Sequence, residues 1–294
     1  MVNDAFSVSG IFRWNRQETP PEAVFERFAS IGTKYLTFDA ETTQVFYERS
    51  SFIRELHQKA GQFGLAFRDA HAPWGAGKDL NELASEEQLA AVEKIIAILG
   101  ECGGRTLTFH IGTSCIYKTG DWAGREEYYR TIAAKALERL LKSAEKYNVI
   151  LCVENCFEPS TTAEEAIALV KKFDSPFLGL CLDCGHANLM EPMADRDVTK
   201  MVNYIQRAWN MKGPAFTPGI AEMMLPDIVT VHVHDNNGLD DKHALPDENG
   251  TVPWGRINGV LKKAPRLLSL QSEVETADLD ELAHIMHTLQ NLWK

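Results

Sequence analysis

Much that a chain of 294 residues can carry is missing here. No apolar run approaches the roughly 20 residues that cross a bilayer. The first residues, MVNDAFSVSG, lack a basic segment followed by an apolar stretch of about 7–15 residues, so no secretory leader is expected and the expected location is cytoplasmic. Positive charge is scarce: 30 Lys and Arg stand against 41 Asp and Glu, a formal charge of −11. Binding to DNA draws on cations that displace counterions from phosphate, so this balance argues against nucleic acid and for a small-molecule partner. No GxGxxG follows the first strand-like run and no Walker loop occurs, which removes the dinucleotide and P-loop folds. Of six cysteines, only Cys181 and Cys184 form a CxxC, and no second CxxC completes a structural zinc site. Buried thiols in a reducing compartment are the expectation.

What is present is a regular alternation. Short runs rich in Val, Ile, Leu and Cys read as parallel strands buried on both faces. They are Phe6–Gly10, Lys34–Phe38, Leu65–Ala70, Thr106–His110, Val149–Glu154, Leu178–Asp183, Ile228–His234 and Leu267–Val274. Between them lie segments of helical period. Pro20-Pro21 opens one ending near Ile31, and Ser85–Leu99 and Glu126–Tyr147 each carry an apolar stripe. Thr162 and Glu165 have the spacing of a capping box for a helix to Phe173. Asp278–Leu292 is amphipathic, and the longer interval 190–226, with a helix expected at Val198–Trp209, reads as an insertion at one end of the fold. Eight β-then-α units in about 250 residues predict an α/β protein with a single (β/α)8 TIM barrel as one domain over residues 1–294.

In such a barrel, chemistry collects at the C-terminal ends of the strands. Those ends carry Asp69-Ala70-His71-Ala72-Pro73, Phe109-His110, Val153-Glu154-Asn155, Asp183-Cys184-Gly185-His186, His232-Val233-His234-Asp235 with Asp241-Lys242-His243 beyond it, and Glu273-Val274-Glu275. Only nine histidines exist, and six of them fall here; His57, His284 and His287 lie in helical segments. Any one strand-end His or Glu is more often a hydrogen-bonded structural group than a ligand. Their joint occurrence on six consecutive strands points instead to an N/O site for a divalent cation. Alternation along the seventh strand puts His232 and His234 on one side, and Glu273 and Glu275 likewise share a side, so either glutamate is open as the eighth-strand ligand.

From about Asp69 to Glu275 the motifs HAP, FH, VEN, LDxGHAN, HxHDN, DxH and SEV, in this order, resemble the xylose-isomerase-like barrel superfamily, which includes sugar phosphate isomerases and epimerases and the endonuclease-IV type of apurinic endonuclease. The sugar-isomerase likeness implies one metal ion (Mn, Mg, Co or Zn) held by Glu154, Asp183, His232 and Glu273. Glu154 and Glu273 would also move the proton beside the substrate carbonyl, and His186 would bind a substrate oxygen. A Lewis acid stabilises the enediolate while two opposed carboxylates serve as acid and base. The nuclease likeness implies up to three zinc ions on His71, His110, Glu154, Asp183, His186, His232, Asp241, His243 and Glu273. Against it, the segment DAETTQVFYERS, where DNA enzymes carry a basic loop, is acidic. Near the DxH motif, Asp247 stands where a glycine is common in the family.

The function expected is therefore metal-dependent isomerisation or epimerisation of a sugar or keto-sugar. The alternatives are a keto-sugar or inosose lyase or dehydratase on the same site, or a zinc phosphodiesterase. His71, His110, His186, Trp14 and Trp74 are expected to contact a carbohydrate, with Phe12 and Trp254 as further candidates for an aromatic wall. No Gly-rich nest for a phosphate is evident, although Arg13, Arg16, Lys78 and Lys118 lie near the expected mouth. The oligomeric state is open, a homo-oligomer included.

Overall fold

The structure, a computed structural model, describes residues 6–12, 19–46, 49–112, 122, 124–211, 213–246, 249–274, 276 and 278–293. Eight parallel strands close into a barrel in sequence order: β1 (Ser7–Phe12), β2 (Tyr35–Phe38), β3 (Ala66–His71), β4 (Thr106–Phe109), β5 (Ile150–Glu154), β6 (Leu178–Asp183), β7 (Ile228–Val233) and β8 (Ser269–Ser272). Closure is made by β1 against β8, with Ser7 beside Ser269 and Ser9 beside Gln271. Each expected strand is found within a few residues. β1 runs two residues further than the apolar run suggested, and β7 and β8 stop sooner, so that His234 and Glu273 stand just beyond their strands. Among the described residues, no helix is long and apolar enough to cross a membrane.

The two faces of the barrel wall differ in chemistry. Outward residues meet the helices in one large apolar layer that includes Phe12, Phe25, Phe28, Phe38 and Phe67, each at most 1% exposed. The rings of Phe38 and Phe67 stack 3.6 Å apart, and Phe12 lies 5.2 Å from Phe25. Phe12 is thereby a core residue and forms no part of an aromatic mouth. Inward residues are small and polar. Ser9 Oγ and Thr106 Oγ1 donate to the Asp69 carboxylate at 2.5 and 2.6 Å, and Ser269 Oγ does so at 3.1 Å. Since β3 pairs with neither β1 nor β8, the bonds from Ser9 and Ser269 cross the lumen, while Thr106 reaches Asp69 from the adjacent strand β4. Burial pushes the Asp69 carboxyl up despite its three hydroxyl donors.

Local signals explain some helix boundaries. Pro20 and Pro21 start Pro21–Ser30, with proline in the first turn where its missing N–H is not needed. The capping box proves to lie elsewhere than expected. Ser85 and Gln88 form one at Glu86–Glu101, the Gln88 N–H reaching Ser85 Oγ at 3.2 Å. Thr162 does precede Ala163–Val170 but makes no cap bond, and the Glu165 carboxylate is taken by Arg130 at 2.9 and 2.5 Å from the neighbouring helix, Glu126–Tyr147. The 190–226 interval holds two short helices, Asn203–Ala208 and Ile220–Met224, in place of one at 198–209. Leu189, Met201 and Ile205 form a satellite core there, and Trp209 Nε1 donates to the Phe157 carbonyl at 2.5 Å, tying the segment to the loop after β5.

Gly10 marks where helix and strand press closest. A Cβ there would lie 2.3 Å from Phe28 Cε1, inside the phenylalanine layer. Gly10→Ala is expected to destabilise the fold by about 1–3 kcal/mol through overpacking, seen as a lower urea midpoint at unchanged m-value.

Candidate metal centre

The strand ends deliver their polar side chains to one place because inward positions recur every second residue. Glu154, the last residue of β5, sits at its middle and is 1% exposed. Three imidazoles approach its Oε2: His71 Nε2 at 3.2 Å, His110 Nε2 at 3.3 Å and His232 Nδ1 at 3.3 Å. His186 Nδ1 stands 3.2 Å from Oε1. His232 Nδ1 is a second hub, 3.2 Å from Glu273 Oε1 and 3.8 Å from Asp183 Oδ2. The four residues expected to share a cation therefore converge, with Asp183 and His232 as a buried floor below Glu154 and Glu273.

A second group lies beside the first. His186 Nε2 and His243 Nε2 both stand 3.3 Å from Asp241 Oδ2, and the His234 and His243 rings stack 3.8 Å apart within 2° of parallel. His243 holds this position at φ 46°, a left-handed conformation that costs a non-glycine residue energy and is typical of functional loops. Tyr204, from the 190–226 segment, accepts the Asp241 N–H at 2.6 Å.

These separations decide what the groups suit. A charge-assisted hydrogen bond is about 2.7–2.9 Å long. Two ligands of one tetrahedral cation, each about 2.0–2.2 Å from it, stand about 3.3–3.6 Å apart. The imidazole–carboxylate distances around Glu154 fall at the second spacing. Moreover, His232 Nδ1, His110 Nδ1 and Asp241 Oδ1 are buried with no hydrogen-bond partner among the described residues. The donor set thus fits a divalent cation, and ligand atoms of His71, His110 and Glu154, of His71, His232 and Glu273, and of His186, His234, Asp241 and His243 each lie within 4.8 Å of one another. His234 behaves differently. Its Nε2 is 2.9 and 3.0 Å from the Asp183 oxygens, a true hydrogen bond that fixes the floor carboxylate. Gly185 makes room for it, since a Cβ there would lie 2.1 Å from the ring.

Electrostatics follow from crowding. Burial alone would raise Glu154, but the imidazoles of His232 and His110 hold its carboxyl well below the usual range. Burial would lower His186 and His232, yet their neighbours, led by Asp183 for one and by the Cys181 sulfur, Glu273 and Glu154 for the other, push both well up. His243 is raised to about 9, against burial, by its bond to Asp241. Protons on these rings stand in the place a cation would take.

An open cavity of about 380 Å³ rises above the cluster, lined by His71, His110, Glu154, His186, Asp241, His243 and Glu273 on one side and by Asp39, Glu41, Gln44, Trp74 and Lys78 on the other. Trp74 is 51% exposed, its ring 5.5 Å from His110. Trp254 lines no part of this wall. Its Nε1 donates to Asp235 Oδ2 at 2.7 Å, and Asp235 also accepts the Thr251 and Val252 N–H groups, organising the loop after β7. Trp14, Glu275, Asp247, Arg13, Arg16 and Lys118 lie outside the described residues.

Among the cavity residues that the sequence reading misses, besides Asp39, Glu41 and Gln44, are Cys156 and Glu158. Cys156 is buried, as expected of the cysteines, and stands at the cavity wall. Parity was the available signal, two residues past Glu154. Glu158 also lines the cavity, 6% exposed, with Thr161 Oγ1 donating to it at 3.1 Å, and burial pushes its carboxyl up to about 7. It follows a strand by four residues, beyond the reach of alternation.

Comparison with known proteins follows the same lines. The sequence profile of the xylose isomerase-like TIM barrel family matches residues 25–289. Protein MJ1311 of Methanocaldococcus jannaschii is 31% identical over 113 residues, 36% of this chain, and the match spans only 31% of that relative's length. Among solved structures, the 3-keto-D-glucoside 4-epimerase YcjR of E. coli superposes with a TM-score of 0.65 at 14% identity, covering 98% of both chains. The D-psicose 3-epimerase of Clostridium cellulolyticum H10 gives 0.64 at 16%, covering 97% of this chain and 98% of its own. At these identities the likeness is one of fold.

Raised histidines bind protons in the folded state that the unfolded chain has lost, so their contribution is full below about pH 6.5 and fades as pH climbs through the folded value, about 9 for His243. Chelator-treated protein is therefore expected to lose melting temperature between about pH 6.5 and 9. Saturating zinc should flatten that slope and add about 2.7 kcal/mol at a hundredfold excess over Kd, read by thermal denaturation with and without metal.

Proposed function

Because the chain belongs to the xylose isomerase-like TIM barrel family, we propose that it is a divalent-metal-dependent isomerase or epimerase that moves a proton beside the carbonyl of a sugar or keto-sugar. The observation that carries this reading is the pairing of two glutamates across one point: Glu154 Oε2 and Glu273 Oε1 lie 3.3 and 3.2 Å from the same His232 nitrogen. Glu154, Asp183, His232 and Glu273 would hold the cation. When bound, it supplies a Lewis acid that polarises substrate oxygens.

The chain's own groups supply the rest. Glu154 Oε2 is engaged by three imidazoles, whereas among the described residues one imidazole, His186, pairs with Oε1, which leaves Oε1 as the oxygen with more room to take a proton from carbon. Glu273, 13% exposed and on the cavity wall, returns a proton from the opposite side. His186 is placed to donate to a substrate oxygen, and the exposed face of Trp74 offers an apolar platform for a sugar ring. Two structural neighbours, a 3-keto-D-glucoside 4-epimerase and a D-psicose 3-epimerase, support this substrate class. A lyase or dehydratase would use the same proton abstraction and then expel a leaving group.

Glu154→Gln is expected to lower turnover about 10²–10⁴-fold while leaving the fold intact. With Mn²⁺ or Co²⁺ present, the wild-type protein should carry deuterium from D₂O into a ketose at the reacting carbon. Neither exchange nor isomerisation across a broad sugar panel would overturn the proposal.

A second reading, phosphodiester hydrolysis on several zincs, is favoured by the surplus of ligands, since the group around Asp241 adds donors that one cation has no use for. It ranks second because Lys78 is the one Lys or Arg among the described residues lining the cavity, where Asp39, Glu41 and Glu158 repel a phosphate backbone. Elemental analysis separates the two. One metal per chain is expected; three, together with cleavage of abasic DNA, would reverse the ranking.

A further inference from the structure

Cys156 follows Glu154 by two residues and continues the inward side of β5 past the strand end. It is 2% exposed and forms part of the cavity wall. Its sulfur lies within 4.8 Å of a Glu154 carboxylate oxygen and a His186 ring nitrogen, which are likewise that close to each other. A single cation spans such a triangle. The loop holds the residue there, its N–H donating to the Thr161 carbonyl at 2.8 Å. The buried Nδ1 of His110 has no hydrogen-bond partner among the described residues. The other free thiols among the described residues, Cys102, Cys152, Cys181 and Cys184, line no part of the cavity, although the Cys181 sulfur lies within 4.8 Å of ligand atoms of Glu154 and His232.

We infer that Cys156 gives its sulfur to the cation that Glu154 holds, so that the centre prefers borderline, thiophilic ions such as Zn²⁺ and Co²⁺ to Mg²⁺ and Mn²⁺. The inference rests on the metal centre proposed above. Coordination breaks the S–H bond, sends its proton to solvent and forms the metal–sulfur bond, with no change of oxidation state. Imidazole already favours Zn²⁺ and Co²⁺ over Mn²⁺ and Mg²⁺, and a thiolate, a poor partner for a hard ion, widens that difference. The cavity thiol thus sharpens a selection that the remaining donors make less steeply.

Cobalt makes this visible. Chelator-treated full-length protein is titrated with Co²⁺ and its spectrum recorded. The expected result is visible d–d absorption together with a sulfur-to-cobalt charge-transfer band in the near ultraviolet. Cys156→Ser should remove that band, keep the d–d absorption and reduce the preference for Zn²⁺ over Mn²⁺ about tenfold or more in competition titrations. Cys181→Ser should keep the band. Cys156→Ala serves as the second variant if serine perturbs folding, and the wild-type spectrum alone tests the inference if both do. Cobalt bound with d–d absorption and no charge-transfer band, or a band that survives Cys156→Ser, would sink the sulfur ligand while leaving the metal centre standing. Failure to bind cobalt at all would remove the centre itself.

Discussion

A glutamate charge placed almost out of reach of water is the constraint from which the mouth of this barrel follows. An isolated carboxylate in such a position is costly unless opposite charge is supplied. Glu154 is met by His71, His110, His186 and His232, each from a different strand or the turn after it. Imidazoles suit the task because they offer charge when protonated and a lone pair when not. The same ring therefore stabilises the metal-free chain and gives up its proton when a cation arrives. Acidic and metal-bound forms are two solutions to one electrostatic demand.

The supports around this centre are as specific as the ligands. Asp183 accepts from His234, which needs the bare backbone of Gly185 beneath its ring. Asp235, next in sequence to His234, looks like another acidic ligand but instead gathers the loop that carries His243. The 190–226 segment contributes through Tyr204 and Trp209, whose polar tips bond to backbone groups on either side of the cavity. Asp183 and Asp235, both at strand ends, thus serve different ends, and only their partners tell them apart.

That contrast marks how far the sequence could be read. The barrel was legible because apolar runs and turn signals recur eight times, and the cluster because alternation and strand ends fix direction without any knowledge of loops. Assignments that depended on competition between partners were not legible. Thr162 and Glu165 had the spacing of a capping box, but Arg130, remote in sequence, outbids the backbone N–H for Glu165. Phe12 was placed at the mouth because its strand was expected to end at Gly10, and two further residues of pairing carry it into the outer layer. Glu158 belongs to the cavity through a loop conformation that no periodicity describes, whereas the alternation of β5 extends to Cys156, two residues past Glu154.

The hydroxyl network that Asp69 draws across the lumen sets how this architecture tolerates change. With Ser9, Thr106 and Ser269 in place of branched aliphatic side chains, the interior contributes little oily cohesion, and the phenylalanine-rich shell outside the strands carries that burden. Holding the barrel shut and equipping its mouth are consequently tasks of opposite faces of the same strands. Drift in one ledger leaves the other largely untouched, so a lineage built on this plan is free to re-tool its chemistry without first rebuilding its scaffold.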